Sequence, residues 1–430
     1  MTPDERLERY ARLAVEVRRN PDFYDLCGAR DMLFHVHERR YSLPELEETL
    51  ARLEGEKHRF GITRIAVVTG LDRIGIPVAL ATRPNSRSVA VSQGKGPTLA
   101  AAKVSALMEA IELWHAEHIV RPMVFAAEQD LPDHPAPLDV DRLPRVAGGR
   151  YSPHLRMHWI EGRELMSGRS VLVPHELVHA DYTHPVPPGH GCFASSTNGL
   201  ASGGHVLEAA CHAICEVIER DALSIWSQRD EGYRARSRID PSTIEGAAAR
   251  ALWDAFERAG LEVAVWDATT DIGVATFFCL IVEPGPGGHI GLGSGTHPDR
   301  TEALARALGE AAQTRLNYIT GARDDLRFEE FLPKGRQAKA RAAAALLGLG
   351  APVRDFAAVP TRKAPTFRDD IDWLLERLKA VSVSEVAVVD LTRDDVGIPV
   401  VRVVIPGLEA PHDDDGYVPG PRAMAAREAA

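Results

Sequence analysis

The chain is 430 residues long and 45% hydrophobic, so it can bury a large core in about two to three domains or in one large one. Its formal net charge of −11 argues against a broad nucleic-acid-binding surface, because such a surface needs clustered Lys and Arg. No segment approaches the ~20 consecutive apolar residues of a membrane span, and the charged N-terminus is unlike a signal peptide, so we expect a cytoplasmic protein with no nucleic-acid or membrane partner.

The first 60 residues are predicted to be a helical N-terminal extension built from two or three amphipathic helices, one of them capped by Ser42. Short β-rich runs separated by Gly and Pro follow, which indicates strands and turns. We assign one large domain to residues 61–405. Residues 406–430 are predicted to be a flexible C-terminal tail that is poorly ordered from Pro411 onward, because that segment lacks apolar periodicity.

Two proline-bearing segments, 126–146 and 328–365, are predicted to be surface loops, the second around an Ala-rich helix. Three apolar runs between them are predicted to be strands, two of them joined by a hairpin at 284–288. A helix over 369–381 and two more strands follow. The predicted fold class is α+β, with mixed and antiparallel sheets.

One helical pattern occurs three times, at 101–112, 208–219 and 302–313. Each copy carries a glutamate that is followed three residues later by a second carboxylate or an amide. The pairs are Glu109 with Glu112, Glu216 with Glu219, and Glu310 with Gln313. Residues i and i+3 lie on one face of a helix, so each helix can direct two oxygen ligands toward the same point.

The repetition indicates a cation site. A single pair would more simply be a solvated row on an amphipathic helix, but the flanking sequences are mostly apolar. Partly buried carboxylates repel one another and must be neutralised by protons or cations. An all-oxygen donor set favours Mg²⁺ over Zn²⁺, and Mg²⁺ can join glutamates to the phosphates of ATP. The predicted cofactors are ATP and Mg²⁺, and the predicted metal ligands are Glu109, Glu112, Glu216, Glu219 and Glu310.

Glycine-rich segments precede the three helices, at 92–98, 195–204 and 291–297. A glycine loop that leads into a helix N-terminus can hold phosphate, because free N–H groups and the helix dipole point at it. None of the segments is a Walker A loop or a dinucleotide-binding GxGxxG motif. Lys95 is expected to neutralise phosphate, and Arg220 or Arg306 to clamp developing negative charge.

Three blocks of the chain resemble the signature blocks of the YcaO family: SQGKGPTLAAAKVSALMEAIELW, STNGLASGGHVLEAACHAICEVIERDA and GSGTHPDRTEALARALGEAAQTRL. They occur in the family's order, and the resemblance covers about residues 60–405. It implies a YcaO-type fold with the glutamate-bearing helices around a nucleotide site. It also implies ATP-dependent modification of a peptide backbone, in which a nucleophile adds to an amide carbon and the oxygen leaves as phosphate.

The resemblance implies nucleotide- and metal-binding roles for particular residues. These are Ser105, Glu109 and Glu112 in the first block, Asn198, Glu216, Glu219 and Arg220 in the second, and Glu310 and Gln313 in the third. Lys95 corresponds to the family's phosphate-contacting lysine. Leu113 departs from the Arg that many members carry, so no contact by that Arg is expected. The chemistry needs no protein nucleophile, and no catalytic side chain is predicted.

The ending of the chain is similar to that of members that form thioamides with a TfuA-like partner protein. Azoline-forming members end in a Pro-x-Pro-x-Pro tail, whereas this chain has only Pro419-Gly420-Pro421. We therefore expect thioamide formation on a peptide or protein substrate. A cyclodehydratase acting on Cys, Ser or Thr of a precursor peptide and a non-catalytic nucleotide-binding accessory protein remain alternatives, and a homodimer is left open.

Several other residue groups have simpler interpretations. His175 and His179 are spaced as metal ligands on a helix, but the segment is Pro-rich and lacks a second Cys/His pair, so a structural or substrate-facing role is favoured. Cys211 and Cys215 are predicted to pack in the core. Trp114 and Trp226, at equivalent ends of two of the repeats, are likewise predicted to be core anchors.

Overall fold

The computed structural model describes residues 43–285, 288–413 and 416–428. The N-terminal helices expected before residue 43, together with the Ser42 cap, lie outside the described residues. Within them the chain is a mixed α+β protein whose strands form three sheets, which confirms the predicted fold class. None of the described helices is long and apolar enough to cross a membrane.

The first sheet is an antiparallel meander of β1 (Arg64–Val67), β2 (Val78–Thr82) and β3 (Val91–Lys95). It agrees with the three predicted strands in this part of the sequence. β3 is an edge strand. A helix packs across it, which is why small residues alternate with polar ones along the strand.

The second sheet has the order β11-β10-β9 and is also antiparallel. Its strands are β9 (Glu262–Asp267), β10 (Thr276–Val282) and β11 (Ile290–Thr296). The pairing of Val282 with Ile290 confirms the hairpin predicted at 284–288. β11 stands at one edge of this sheet.

The third sheet has the order β5-β7-β6-β12-β13-β8, and β4 also pairs with β6. Its pairs are antiparallel except for β5 with β7, which is parallel. The strands are β4 (Met123–Ala127), β5 (Ala136–Pro137), β6 (Arg156–Glu164), β7 (Ser170–Pro174), β8 (Leu200–Ser202), β12 (Ala387–Asp390) and β13 (Val400–Val404).

The described α-helices pack on these sheets. They are α1 (Leu43–Glu56), α2 (Leu99–Glu117), α3 (Val206–Gln228), α4 (Glu231–Arg236), α5 (Ala247–Arg258), α6 (Arg300–Thr320), α7 (Phe328–Phe331), α8 (Pro333–Leu347), α9 (Phe367–Ala380) and α10 (Pro421–Glu428). The repeated segments fall within α2, α3 and α6. Side-chain caps begin all three, from Thr98, His205 and Asp299.

Edge strands β3, β8 and β11 each lead into one repeated helix, which folds back over its own strand. Glycines permit the close approach. A Cβ on Gly94 in β3 would lie 2.1 Å from the backbone oxygen of Ala102, and one on Gly293 in β11 would lie 2.2 Å from the backbone oxygen of Ala307. The sequence predicts phosphate loops in these segments. In the structure Gly94 and Gly293 are strand residues, and their lack of a side chain lets a helix backbone pack against the strand.

The N-terminal part of the described chain joins the main core. Leu53 of α1 and Phe60 are each 1% exposed and pack in one cluster with residues of α2 such as Leu107. The predicted surface loop at 126–146 contains the end of β4 and the short strand β5, and its Leu138 is buried. This segment is therefore more integrated in the sheet than its proline content indicated.

The described part of the C-terminal tail includes a helix, whereas the sequence predicts a poorly ordered segment. Residues Pro421–Glu428 form α10, whose Ala423 and Ala426 are buried against α3. The Arg422 Nε donates to Oδ1 of Asp221 at 2.9 Å, and the backbone N–H of Ala423 donates to Glu409. Polar and alanine contacts, rather than an apolar stripe, hold this segment, which is why apolar periodicity did not reveal it.

Candidate active site

The second position of each repeated pair contacts the strand that precedes the next repeated helix. The Ser202 hydroxyl, at the end of β8, donates to Glu112 of α2 at 2.6 Å, and its backbone N–H donates to the same oxygen at 2.9 Å. The Ser294 hydroxyl of β11 donates to Glu219 of α3 at 2.7 Å. Lys95 at the end of β3 donates through Nζ to Gln313 of α6 at 3.3 Å. The contacts form a closed ring of three helices and three strands.

The first position of two pairs faces the helix's own strand. The backbone N–H of Gln93 in β3 donates to Glu109 at 3.3 Å, and that of Ser294 in β11 donates to Glu310 at 3.4 Å. Glu216 of α3 is surrounded instead by charges, those of Arg220, Glu219, Arg402 and Glu310. Glu109 and Glu219 each interact electrostatically with Glu310, and Glu112 interacts with Glu109 and Glu216, so carboxylates from α2, α3 and α6 lie in one region.

Burial controls the protonation of this cluster. Desolvation raises the pKa of Glu112 to about 8, against the opposing hydrogen bonds from Ser202, and it raises the pKa of Glu216 to about 7 despite nearby Arg220. Desolvation also raises the pKa values of Glu109 and Glu219. In the absence of cations Glu112 is largely protonated at neutral pH and Glu216 is partly protonated, so the cluster has unmet demand for positive charge.

Basic side chains border the carboxylates. Arg220 lies beside Glu219 with an Nη1 to Oε1 distance of 3.7 Å, and the surrounding carboxylates raise the pKa of Arg220 even though its burial opposes this. Lys95 and Arg306 both act electrostatically on His212 of α3, so the two cations border one region. A nucleotide's phosphates could therefore meet both carboxylates and fixed cations here.

The remaining predicted site residues lie on the same elements. Ser105 is one helical turn before Glu109 in α2, and Arg306 is one turn before Glu310 in α6. Asn198 lies just before β8, and its buried Oδ1 has no hydrogen-bond partner. Asn198 and Arg402 line a small cavity together. The structure thus brings every predicted site residue to the three strand–helix units, all in buried or half-buried positions.

Sequence reasoning missed four residues of the site. Ser202 and Ser294 donate hydrogen bonds to the second glutamates, Arg323 is the cation with the largest electrostatic effect on Glu109, and Arg402 acts electrostatically on Glu216. A signal for the two serines existed, because Ser294-Gly295 repeats the position of Gln93-Gly94 before its helix and Ser202-Gly203 repeats the position of Lys95-Gly96. Arg323 and Arg402 lie outside the repeats and carry no such signal.

The predicted core residues are placed as expected. Cys211 and Cys215 are buried in the cluster beneath α3, and Trp226 is 6% exposed. Trp114 packs at the edge of the core and meets Phe60 edge to face, with ring centroids 5.3 Å apart. The histidines at 175 and 179 belong to a separate cluster that follows β7.

The donor set fits Mg²⁺. The converging groups are carboxylate oxygens with one amide, and no Cys or His ligand stands among them, which suits a hard cation. The pKa values of Glu112 and Glu216 are raised, so the cations of the protein do not fully compensate for the desolvation of these carboxylates. Divalent ions would supply the missing positive charge.

Comparison with known proteins agrees with this fit. A family model described as YcaO cyclodehydratase, ATP- and Mg²⁺-binding, matches residues 93–409. A Rhizobium leguminosarum bv. trifolii protein, described by its place in the tfuA 3′ region, is 36% identical over 377 residues, which are 84% of this chain and 87% of that protein.

Two solved structures share the fold. The Methanopyrus kandleri YcaO bound with AMPPCP and Mg²⁺ matches with a TM-score of 0.68 at 24% identity, covering 90% of this chain and 97% of that one. A heterocyclase in complex with substrate and cofactor also matches with a TM-score of 0.68, at 20% identity over 84% of this chain. The match spans only 52% of the heterocyclase chain.

These matches define the chain as an ATP- and Mg²⁺-binding protein of the peptide-modifying class. It belongs to the YcaO family. The resemblance noted in the sequence and the expected cofactors are thereby confirmed.

Proposed function

We propose that the protein uses ATP to phosphorylate the oxygen of a peptide backbone amide, so that sulfide can replace it and leave a thioamide. The observation that supports this most is the ring in which Glu112, Glu219 and Gln313 each contact the strand of the next repeat. The ring gathers carboxylates from three helices around one centre, and ATP with Mg²⁺ is the occupant that balances their charge.

In this proposal the metal ligands are Glu109, Glu112, Glu216, Glu219 and Glu310. The nucleotide is bound by Lys95, Ser105, Asn198, Arg220, Arg306 and Gln313 in addition. Bound Mg²⁺ would neutralise charge on the phosphates and on the glutamates that face them. The protein itself holds the glutamates in position before the ligands bind. For example, the backbone N–H and the hydroxyl of Ser202, at the end of a strand, both donate to Glu112.

The reaction follows the demands of amide chemistry. Amides are poor electrophiles, and an amide oxygen leaves readily only as phosphate. A nucleophile adds to the amide carbon, the resulting oxyanion takes the γ-phosphoryl group of ATP, and phosphate departs as the C=S or C=N bond forms. Positioning and charge neutralisation suffice for these steps, so no protein nucleophile is assigned.

The thioamide branch is supported by a relative at 36% identity that is described by its place in the tfuA 3′ region. A TfuA-like partner that delivers sulfur fits this observation. Cyclodehydration of Cys, Ser or Thr is the second candidate function, favoured by the shared fold with a heterocyclase that binds its substrate.

Mass spectrometry distinguishes the two reactions. The full chain would be combined with ATP, Mg²⁺, sulfide, a TfuA-like protein and peptides encoded beside its gene. A thioamide gains ~16 Da, whereas an azoline loses ~18 Da without requiring sulfide, and both release ADP and phosphate in step with product. Water loss without sulfide would replace the thioamide assignment with cyclodehydration.

A binding measurement tests the nucleotide site itself. Calorimetric titration with ATP should show binding that requires Mg²⁺ and that is lost in Glu109→Gln and Glu216→Gln. Glu376→Gln, on the exposed face of α9, is the matched control and should bind as the wild type does. Wild-type affinity in both site variants would remove the assignment of these ligands.

A further inference from the structure

Three histidines come together on the third sheet, outside the carboxylate cluster. His175 and His179 belong to the turn that follows β7, and His190 lies in the next loop. One nitrogen from each ring can be chosen so that all three nitrogens lie within 4.8 Å of one another. The ring centroids of His175 and His179 are 4.7 Å apart, and those of His179 and His190 are 4.8 Å apart.

One nitrogen of each ring lacks a hydrogen-bond partner among the described residues. Nδ1 of His175, Nε2 of His179 and Nε2 of His190 are buried and make no hydrogen bond to this part of the chain, and His179 is only 5% exposed. Leaving one buried polar group unsatisfied is costly, and here three from separate positions meet. Such convergence needs a ligand to explain it, and the proposed ATP chemistry makes no use of these histidines.

The histidines are held in the state that binds metal. Desolvation is the main cause that lowers the pKa of His175 to about 3 and that of His190 to about 4, and the other imidazoles add to it. Desolvation also lowers the pKa of His179. All three rings are therefore neutral at physiological pH, and a neutral imidazole offers a lone pair to a metal ion.

One hydrogen bond opposes coordination by His179. Its Nδ1 accepts the backbone N–H of Asp181 at 3.0 Å, so in the metal-free protein Nε2 carries the proton. Coordination of a neutral ring through Nε2 requires that proton to move to Nδ1, which breaks the hydrogen bond from the Asp181 N–H. The net contribution of one such bond is small beside the affinity of a three-imidazole site for zinc.

We propose that His175, His179 and His190 bind a borderline divalent transition-metal ion of the Zn²⁺ type, separately from the Mg²⁺ site. Nitrogen ligands select such ions, whereas the carboxylate cluster selects Mg²⁺. Three protein ligands leave a fourth position open, as in catalytic zinc sites. A cavity of about 150 Å³, lined by His175, His179, Asp181 and Thr183 among others, adjoins these ligands and gives a small molecule access.

The proposed metal site and the carboxylate cluster share one buried cation. Arg402 is 2% exposed and acts electrostatically on both His179 and Glu216. Its Nη2 donates to the backbone oxygen of Ser196 at 2.6 Å, while its Nε and Nη1 have no hydrogen-bond partner among the described residues.

Metal binding by the full chain tests the proposal. Protein stripped with a chelator would be titrated with Zn²⁺, and with Co²⁺ as a spectroscopic probe, in the presence of excess Mg²⁺. We expect about one equivalent of tightly bound ion and a zinc-edge X-ray absorption spectrum that fits imidazole ligands. Folded wild-type protein that binds no Zn²⁺, or a ligand shell made only of carboxylate oxygens, would overturn the proposal.

Variants locate the ion. His175→Ala and His190→Asn should each lose the bound equivalent, whereas His154→Ala, which removes an exposed histidine, should retain it. Glu109→Gln should also retain it, because that change affects only the carboxylate cluster. Circular dichroism establishes whether each variant is folded. If a variant is unfolded, the X-ray absorption spectrum of the wild-type protein tests the proposed ligands instead. Zinc retained by both histidine variants, or lost from Glu109→Gln alone, would contradict this assignment.

Discussion

Lys95 Nζ lies 3.3 Å from Oε1 of Gln313, although 218 residues separate them in the chain. This contact closes the ring begun by Ser202 with Glu112 and continued by Ser294 with Glu219. Each strand of the ring therefore supplies a side chain to the helix of the neighbouring unit. The contact of the third helix differs, since it pairs an amide with a lysine where the others pair a carboxylate with a serine.

Ser202→Ala should weaken Mg²⁺-dependent ATP binding by about tenfold. The hydroxyl stabilises the ionised form of Glu112, and a hydrogen bond to a charged group contributes about 1.5–3 kcal/mol. Its loss should raise the pKa of Glu112 further, so the binding defect should shrink at higher pH. Calorimetric titration at several pH values measures both effects. Ser242→Ala, in an exposed turn, is the control. A defect of equal size at every pH would contradict the protonation argument.

ATP affinity in the presence of Mg²⁺ should rise as the pH increases through about 7 to 8. Glu112 has a pKa of about 8 and Glu216 one of about 7, so both must lose protons before they can bind metal. Titration in buffers of different ionisation enthalpy should detect proton release on binding. The stability of the metal-free protein should change with pH in the opposite direction, because the pKa values of both glutamates lie above the usual 4.5. The contribution of the two glutamates to stability is complete below pH 4.5 and is lost as the pH rises through about 7 and 8.

The sequence revealed the helices of the site but not their partners. The i, i+3 spacing is local and repeats three times, so Glu109 and Glu112 could be recognised without knowing the fold. The bond from Ser202 to Glu112 joins residues 90 apart, and only the packing of β8 on α2 creates it. The same is true of Arg402, whose position beside Glu216 depends on β13 pairing with β8.

Glycine was the most ambiguous signal. A glycine before a helix can mark a phosphate loop or a close contact, and the sequence alone does not separate them. At Gly94 the contact decides the matter, because the helix backbone occupies the space of a side chain. The tail was misjudged for a related reason, since the buried partner of Arg422 is Asp221, far away in sequence.

Gly94→Ala should destabilise the protein by about 1–3 kcal/mol, the usual range for overpacking. The new Cβ would lie 2.1 Å from both the Ala102 oxygen and the Ala106 nitrogen, which belong to a helix backbone that cannot rotate away. Gly55→Ala is the matched control, because nothing lies within 4 Å of a Cβ there. Since Gly55 is exposed in α1, its replacement should be neutral or stabilising. Thermal and urea unfolding compare the two, and equal stability would refute the close-packing role.

Arg422→Ala should destabilise the protein by about 1–3 kcal/mol near neutral pH, because it leaves a buried carboxyl group without its charged partner. Asp221 is fully buried, and desolvation already raises its pKa to about 6 despite the ion pair with Arg422. The loss should diminish as the pH falls below about 6, since protonated Asp221 no longer needs a counter-charge. Urea unfolding at several pH values measures this dependence, with Arg427→Ala on the exposed face of α10 as the control.

A second variant separates the charge from the packing of the tail. Asp221→Asn removes the carboxylate, so in the Arg422→Ala background it should restore part of the lost stability at neutral pH. Asp221 directly follows Arg220 in α3, and Arg220 lies beside Glu219. We therefore expect the ion pair of Arg422 with Asp221 to help position Arg220. ATP affinity should therefore fall in Arg422→Ala and recover with Asp221→Asn. A loss of stability that is independent of pH and is not rescued by Asp221→Asn would show that α10 is held by packing alone.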